Sequence, residues 1–348
     1  MTDTNHFLDT PLLDSDMNLY VESEEPPEQI PLVELPAGTI DPRLKLLSHS
    51  SRTTLHKCPR KYQLYRLSST DVALTDEKET EQGVTFAYGH AVGAGVASIL
   101  EGKSETQVIM DTFLAWDVDL FDENPKQKKS FWLALHAVQQ FMHMRATGYL
   151  DDYELVYYNG KPAVELSFQI LLPDDYRYRG YVDAVLQHRE TKEVIVIECK
   201  TSSGTAQPAY FRNSGQALGY SVVLDTLFPG LSSYTVLYLV YETKSYAYVE
   251  LPFQKSLLQR ALWLQELLID SQMITHYHSY DTFPMHGENC YDFFRECEYL
   301  GLCTLSTDNL VKPLDQKMVD KIYEDETKYE FTVAFEDLVQ AQIEKGES

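Results

Sequence analysis

The sequence lacks any uninterrupted apolar run of the roughly 18 residues that crossing a bilayer requires. Residues Met1 to Tyr20 also lack the basic-then-apolar pattern of a secretory leader. No membrane role is therefore expected, and an intracellular, cytoplasmic protein is. Cysteine is scarce and odd in number, with five residues, which without a leader argues against a disulfide framework. Basic residues are few: 29 Lys and Arg stand against 53 Asp and Glu, for a net charge of -24. That balance excludes a general nucleic-acid coat, but not a DNA enzyme whose groove is locally basic. There is no internal repeat and no G-x-x-x-x-G-K-[ST] phosphate loop, so no helicase motor is present.

What is there suits a globular chain: 348 residues with 44% apolar content can bury a large core. Residues 1–40 read as an acidic disordered tail. Residues 41–304 read as the main domain, with a helical part over about 47–150 and a core over about 160–252. Residues 305–348 read as an acidic helical tail. SHSSRTTLHKCPRKYQLYRL predicts one helix, capped by Ser50 or Ser51, and residues 83–101 predict a second, rich in Ala and Gly. Two amphipathic helices are expected within 105–150. The period then changes to two, predicting strands over 163–172, 179–188, 193–201, 233–240 and 245–252, with helices over about 211–227 and 254–275. This order predicts an α/β (α+β) fold, a central mixed sheet flanked by helices.

The chemistry concentrates on the hairpin 179–201. Asp183 lies on one strand; Glu198 and Lys200 lie on the next, on one face, with Cys199 opposite. An acid in a Val/Ile strand is costly unless it is paired or holds a cation. Three charges at one strand end thus predict either a salt-bridged edge or a site for a hard cation such as Mg²⁺ or Mn²⁺, which could activate water beside a phosphodiester. A neighbouring lysine could orient that water or stabilise the charge that develops on phosphorus.

GYVDAVLQHRETKEVIVIECKTSSG resembles the core of the PD-(D/E)XK nucleases, in particular the RecB-like exonuclease branch, through Gly180, Asp183, Glu198, Lys200 and Thr201. GQALGYSVVL is similar to the branch's Q-x-x-x-Y helix, with Gln216 and Tyr220, and LHKCPRKY to its opening motif. The resemblance covers roughly residues 47–304. It implies a restriction-endonuclease-like core and a Mg²⁺- or Mn²⁺-dependent deoxyribonuclease, an exonuclease acting in DNA recombination, repair or replication, of the stand-alone phage type. Asp183 and Glu198 would be metal ligands, Glu165 either a further one or an edge salt-bridge partner, and Lys200 the catalytic lysine. Gln216 and Tyr220, which share a helix face, would contact DNA, or else that helix packs on the sheet with Tyr220 in the core. The branch carries a metal-binding His on its Gly/Ala helix; here Gly93 stands at that place, and His90, one turn earlier, is either its substitute or an ordinary helix residue.

Cys58, Cys290, Cys297 and Cys303 make a soft donor set suited to a [4Fe-4S] cluster or zinc, or else are reduced thiols. Resemblance to the AddB-type members, with one N-terminal and three C-terminal cysteines, implies iron-sulfur. The spacing C-x6-C-x5-C departs from the usual C-x2-C-x5-C. Lys57, Arg60, Lys61 and Arg66, then Lys126, Lys128 and Lys129, then Arg177 and Arg179, are candidates for phosphate contact, Arg60 and Lys61 foremost. The acidic ends could meet a recombination or replication protein. A non-cleaving DNA-end binding protein on the same fold is the alternative, and RNA processing by the same site is a third reading.

Overall fold

The structure, a computed structural model, describes residues 31–68, 76–116, 129–229, 231, 234–292, 295–307, 310–323 and 329–347. Strand β1 (Leu46–Leu47) leads into α1 (His49–Lys57), whose N-cap is Ser48; Ser48 and Ser51 form a reciprocal capping box. The single helix expected through to Leu67 is two. Pro59 lacks an amide N–H and forces the residue before it out of the helical region, so Cys58 is extended (φ -159°, ψ 105°) and α2 (Pro59–Leu67) starts afresh with the proline in its first turn.

Helices α3 (Asp76–Leu100), α4 (Glu105–Leu114) and α5 (Phe131–Ala146) follow. Within α3, Gly83–Leu100 is long and apolar enough to cross a membrane by length and composition, which the reading from uninterrupted apolar runs did not register. In the fold its residues Tyr88, Ala91, Val92 and Val96 are buried against α5 and the sheet. The close approach is carried by Gly95: a Cβ there would collide with Val138 and sit 2.6 Å from Thr112 Oγ1, whereas one on Gly89 would meet nothing within 4 Å. Gly95→Ala is therefore expected to destabilise by about 1–3 kcal/mol through overpacking. Gly89→Ala should stabilise by about 0.5–1 kcal/mol through helix propensity. Urea unfolding of the two variants checks the opposite signs.

Short strands β2 (Tyr153–Leu155), β3 (Tyr157–Tyr158) and β4 (Lys161–Pro162) precede the long ones. These are β5 (Val164–Leu171), β6 (Arg177–His188) and β7 (Val194–Ser202). The helix expected over 211–227 is broken into α6 (Pro208–Arg212) and α7 (Gly215–Leu227). Then come β8 (Tyr234–Glu242), β9 (Ala247–Lys255), α8 (Leu257–Ser279), the small hairpin β10 (Tyr291–Asp292) and β11 (Arg295–Glu296), and α9 (Gln316–Tyr323). The acidic C-terminal segment is more than a helix: β12 (Phe331–Ala334) joins the sheet and α10 (Phe335–Glu347) packs on α7 and α8.

The eight-stranded mixed sheet runs β12-β5-β6-β7-β8-β9, with β1 and β2 also on β6. β12–β5, β1–β6 and β7–β8 are parallel and the other pairs antiparallel. Side-chain alternation sorts β7 as its sequence predicts. Val194 and Val196 join the core under α7 and α8, and Ile195 and Ile197 join the one under α3 and α5. These two cores sandwich the sheet and hold the mixed α/β architecture expected of a restriction-endonuclease-like fold.

Candidate active site

The site begins where two strands part. β7 pairs with β6 only as far as Ala184↔Ile197, although both strands continue. β5 occupies the opposite edge of β6 from Arg177 to Ala184, and β1 takes up the vacated edge at Arg177 and Tyr178. Between β1 and the start of the β7 ladder lies a fork, and Asp183 sits in it. Its Oδ2 accepts the backbone N–H of Cys199 at 2.9 Å, so a side chain replaces the missing ladder bond. Gly180 lets β6 pass under the ring of Phe168, which a Cβ would meet at 2.8 Å. On β5, Glu165 opposes this region with φ 49°, a left-handed conformation costly for a residue with a Cβ.

Glu198, 0% exposed, lies one strand over. Lys200 is ion-paired with its Oε1, yet neither carboxylate oxygen accepts a well-directed hydrogen bond. Burial, then the charge of Glu198, pushes Asp183 well above the usual carboxylate range, against the pull of Lys200 and the Cys199 N–H. Burial alone would lower the Lys200 ammonium; Glu198 and Asp183 outweigh it and hold it above the ordinary lysine value. Glu165, an exposed residue, lines the hollow beside Asp183. Burial, then Glu198, pushes it up as well, against the pull of Lys200.

Three carboxylates that repel one another, one of them fully buried, share the single charge of Lys200 and form a hard-oxygen donor set, which fits Mg²⁺ or Mn²⁺. Among the described residues no group of three or more His, Cys, Asp or Glu side chains is arranged to enclose an ion; Lys200 holds one of the Glu198 oxygens.

On α7, Gln216 Nε2 donates to the Tyr220 hydroxyl. Tyr220 is buried, and its hydroxyl is pushed up by burial and then by the charges of Glu198 and Asp183. The fold therefore brings Asp183, Glu198, Lys200, Glu165, Gln216 and Tyr220 to one place. His90 is exposed on α3 and does not line the hollow beside Asp183. Gly93 lines it, with Glu165, Asp183 and Cys199, and a Cβ there would meet nothing within 4 Å.

Arg60 corrects an expectation. It is buried, and its guanidinium donates to the carbonyls of Cys303 (3.2 Å) and Leu305 (2.7 Å), to Gln63 Oε1 (2.5 Å) and to Thr307 Oγ1 (2.9 Å). It clamps α2 to the C-terminal cysteine segment and has no face left for a phosphate. Lys61 is paired with Glu298 at 3.2 Å. Arg177 and Arg179 lie over the rings of Tyr323 and Tyr329. Lys129 is described, whereas Lys126 and Lys128 lie outside the described residues. His49, at the start of α1, was not foreseen. Burial, then Lys200, then Arg52 push it down to about 4, and nothing in its sequence surroundings signals that proximity.

Cys58, at the start of α2, comes near the C-terminal cysteines, although among the described residues they form no group arranged to hold an ion. Burial, then Cys297, Cys58 and Cys290, push the Cys303 thiol up. The Cys297 N–H donates to the Cys290 carbonyl at 2.8 Å.

A forked mixed sheet presenting carboxylates and a lysine beside a helix is the frame of a nuclease core. The family model of the PD-(D/E)XK nuclease superfamily matches residues 46–304, and the chain belongs to that superfamily. Comparison with curated proteins gives no match. A solved structure described as "Crystal structure of SSO0001" is 14% identical, with 57% of this chain and 83% of that one covered and a TM-score of 0.25.

Proposed function

We propose that this chain is a Mg²⁺- or Mn²⁺-dependent DNA exonuclease of the RecB/AddB-like branch, working in recombination, repair or replication. The observation that supports this best is the fully buried Glu198, its charge met by Lys200, beside the crowded Asp183 at the strand fork. In this reading Asp183 and Glu198, with Glu165 at the mouth, hold the metal. The ion, when bound, supplies a Lewis acid and a water of lowered pKa. Lys200, kept cationic by its neighbours, positions the attacking oxygen and stabilises the charge that develops on the scissile phosphate. Gln216, held by its bond to the buried Tyr220, orders the strand beside it.

End-labelled linear and circular DNA, with Mg²⁺ or Mn²⁺, should show metal-dependent loss of the linear form alone, and Lys200→Ala should abolish it. Loss of the circle would make the enzyme an endonuclease. No loss of either in a folded protein would move the reading to a DNA-end binding protein, which the vacant side-chain position at Gly93 favours.

We further propose that Cys58, Cys290, Cys297 and Cys303 hold a [4Fe-4S] cluster. The Cys303 thiol, raised by burial and then by the other three cysteines, would release its proton to a cationic cluster, and Arg60 already ties the two chain segments together. Iron and acid-labile sulfide should be present in the purified protein and absent from Cys303→Ala, which should melt lower. Zinc in their place, or no metal, refutes the cluster.

A further inference from the structure

Three helices line one cleft of about 450 Å³. His49 begins α1, Gly215 begins α7, and Gln259 belongs to the capping box of α8; all three residues line the cleft. First-turn residues of three helices, where the positive ends of helix dipoles lie, thus belong to its wall. The ends of α1 and α8 are capped by Ser48 and Ser256, but α7 has no side-chain cap. A second and independent feature marks the same spot. Trp263 is 1% exposed, and its Nε1–H, buried in the wall of the cleft, has no hydrogen-bond partner. That nitrogen lies 3.7 Å, and His49 Nδ1 3.8 Å, from where a Cβ on Gly215 would stand. An orphaned buried donor costs about 1–3 kcal/mol and is expected to have an acceptor in the working protein.

The charges narrow the acceptor. Arg52 is engaged by Asp270 and has Glu266 at 4.0 Å, and Glu266 itself is an exposed rim residue (62%). The floor is therefore a set of N–H donors and helix ends rather than free cations, which suits a single phosphate group better than a polyphosphate. Leu218 and Leu262 supply apolar wall beside it. The first turns of α7 border both places: Gly215 and Leu218 line the cleft, while Gln216 and Tyr220 reach the carboxylates.

We propose that this cleft is a nucleotide subsite, with a phosphate at the N-terminus of α7 accepting the Trp263 Nε1–H and the sugar and base against Leu218 and Leu262. It rests on the nuclease reading, since it would hold the end of the substrate strand or the nucleotide released from it. The test is made without divalent metal, so that it does not depend on cleavage. The three tryptophans give three indole N–H signals in a nitrogen-15 spectrum, and Trp263→Phe identifies the one concerned. Thymidine 5′-monophosphate should shift it saturably, and thymidine should bind at least about tenfold more weakly. Gly215→Ala, whose methyl makes only ordinary contacts, should weaken the nucleotide by a similar factor while the fold is kept. A response to an end-phosphorylated oligonucleotide and not to its hydroxyl twin assigns the subsite to strand ends; a response to the mononucleotide alone assigns it to the product. An indole signal that the nucleotide leaves unmoved, or that thymidine moves equally, overturns the proposal even if the protein degrades DNA. A moved signal in a protein that cuts nothing upholds the subsite and removes the nuclease reading instead.

Discussion

Asp183→Asn is expected to melt higher than the parent chain in chelator at neutral pH, and at the same time to lose DNA cleavage by about a hundred- to a thousandfold. The two effects have one cause. Asp183 is buried beside Glu198 and Glu165, and its carboxyl is held well above the ordinary range. An acid raised in this way costs stability when ionised. Between the ordinary carboxylate pKa and its own, the folded chain binds a proton that the unfolded chain has released, so stability falls as pH rises through that window. Asparagine carries no such charge and keeps an oxygen to accept the Cys199 N–H. The advantage of the variant should therefore be small near pH 4 and grow towards neutrality, reaching about 1 kcal/mol or more. Divalent metal should reverse the order, because binding to the folded state stabilises the parent and not the variant. Thermal melts of both proteins from acid to neutral pH, with chelator and with Mn²⁺, decide the matter. A variant that melts lower at every pH would mean that the fork is not short of positive charge, and the metal assignment would go with it.

Asp225→Ala should be the most damaging substitution far from the fork. Asp225 is 1% exposed, and Arg260, 0% exposed, is paired with it at 2.6 Å from α8. From α10, Lys345 pairs with it at 2.6 Å and Gln342 donates to it. One carboxylate thus joins α7, α8 and the C-terminal helix. Removing it takes a buried charged partner from the Arg260 guanidinium, at a cost of about 3–5 kcal/mol. Chemical denaturation should show that loss, and limited proteolysis should cut α10 first, since Gln342 and Lys345 of that helix both bind Asp225. Asp225→Leu combined with Arg260→Met should recover much of the stability, because a buried ion pair contributes little beyond an apolar pair of similar volume. A single variant as stable as the parent would show that the triad does not anchor the helix.

Much of the centre of the chain was legible because strand alternation is a local property. The Val/Ile run of β7 put Glu198 and Lys200 on one face and Cys199 on the other without any tertiary information. The sequence motifs also implied the superfamily, which the family match then showed. Where the reading failed, a single residue overrode a good local pattern: Pro59 split the first helix, and the break before Gly215 split another. Arg60 looked like a phosphate ligand because charge on a helix is visible in sequence, whereas the carbonyls that claim it lie more than two hundred residues away.

The sequence by itself determined the alternating strands, the acid–acid–lysine spacing and the glycine of β6, since each depends on neighbours a few residues apart. Only the tertiary structure decided that β7 leaves β6 at Ala184↔Ile197, that the vacated edge is filled by the Asp183 carboxylate, and that first-turn residues of three helices share a cleft with the partnerless indole of Trp263. Those features arise from where ladders stop and helices pack, and such long-range contacts leave no period in the chain.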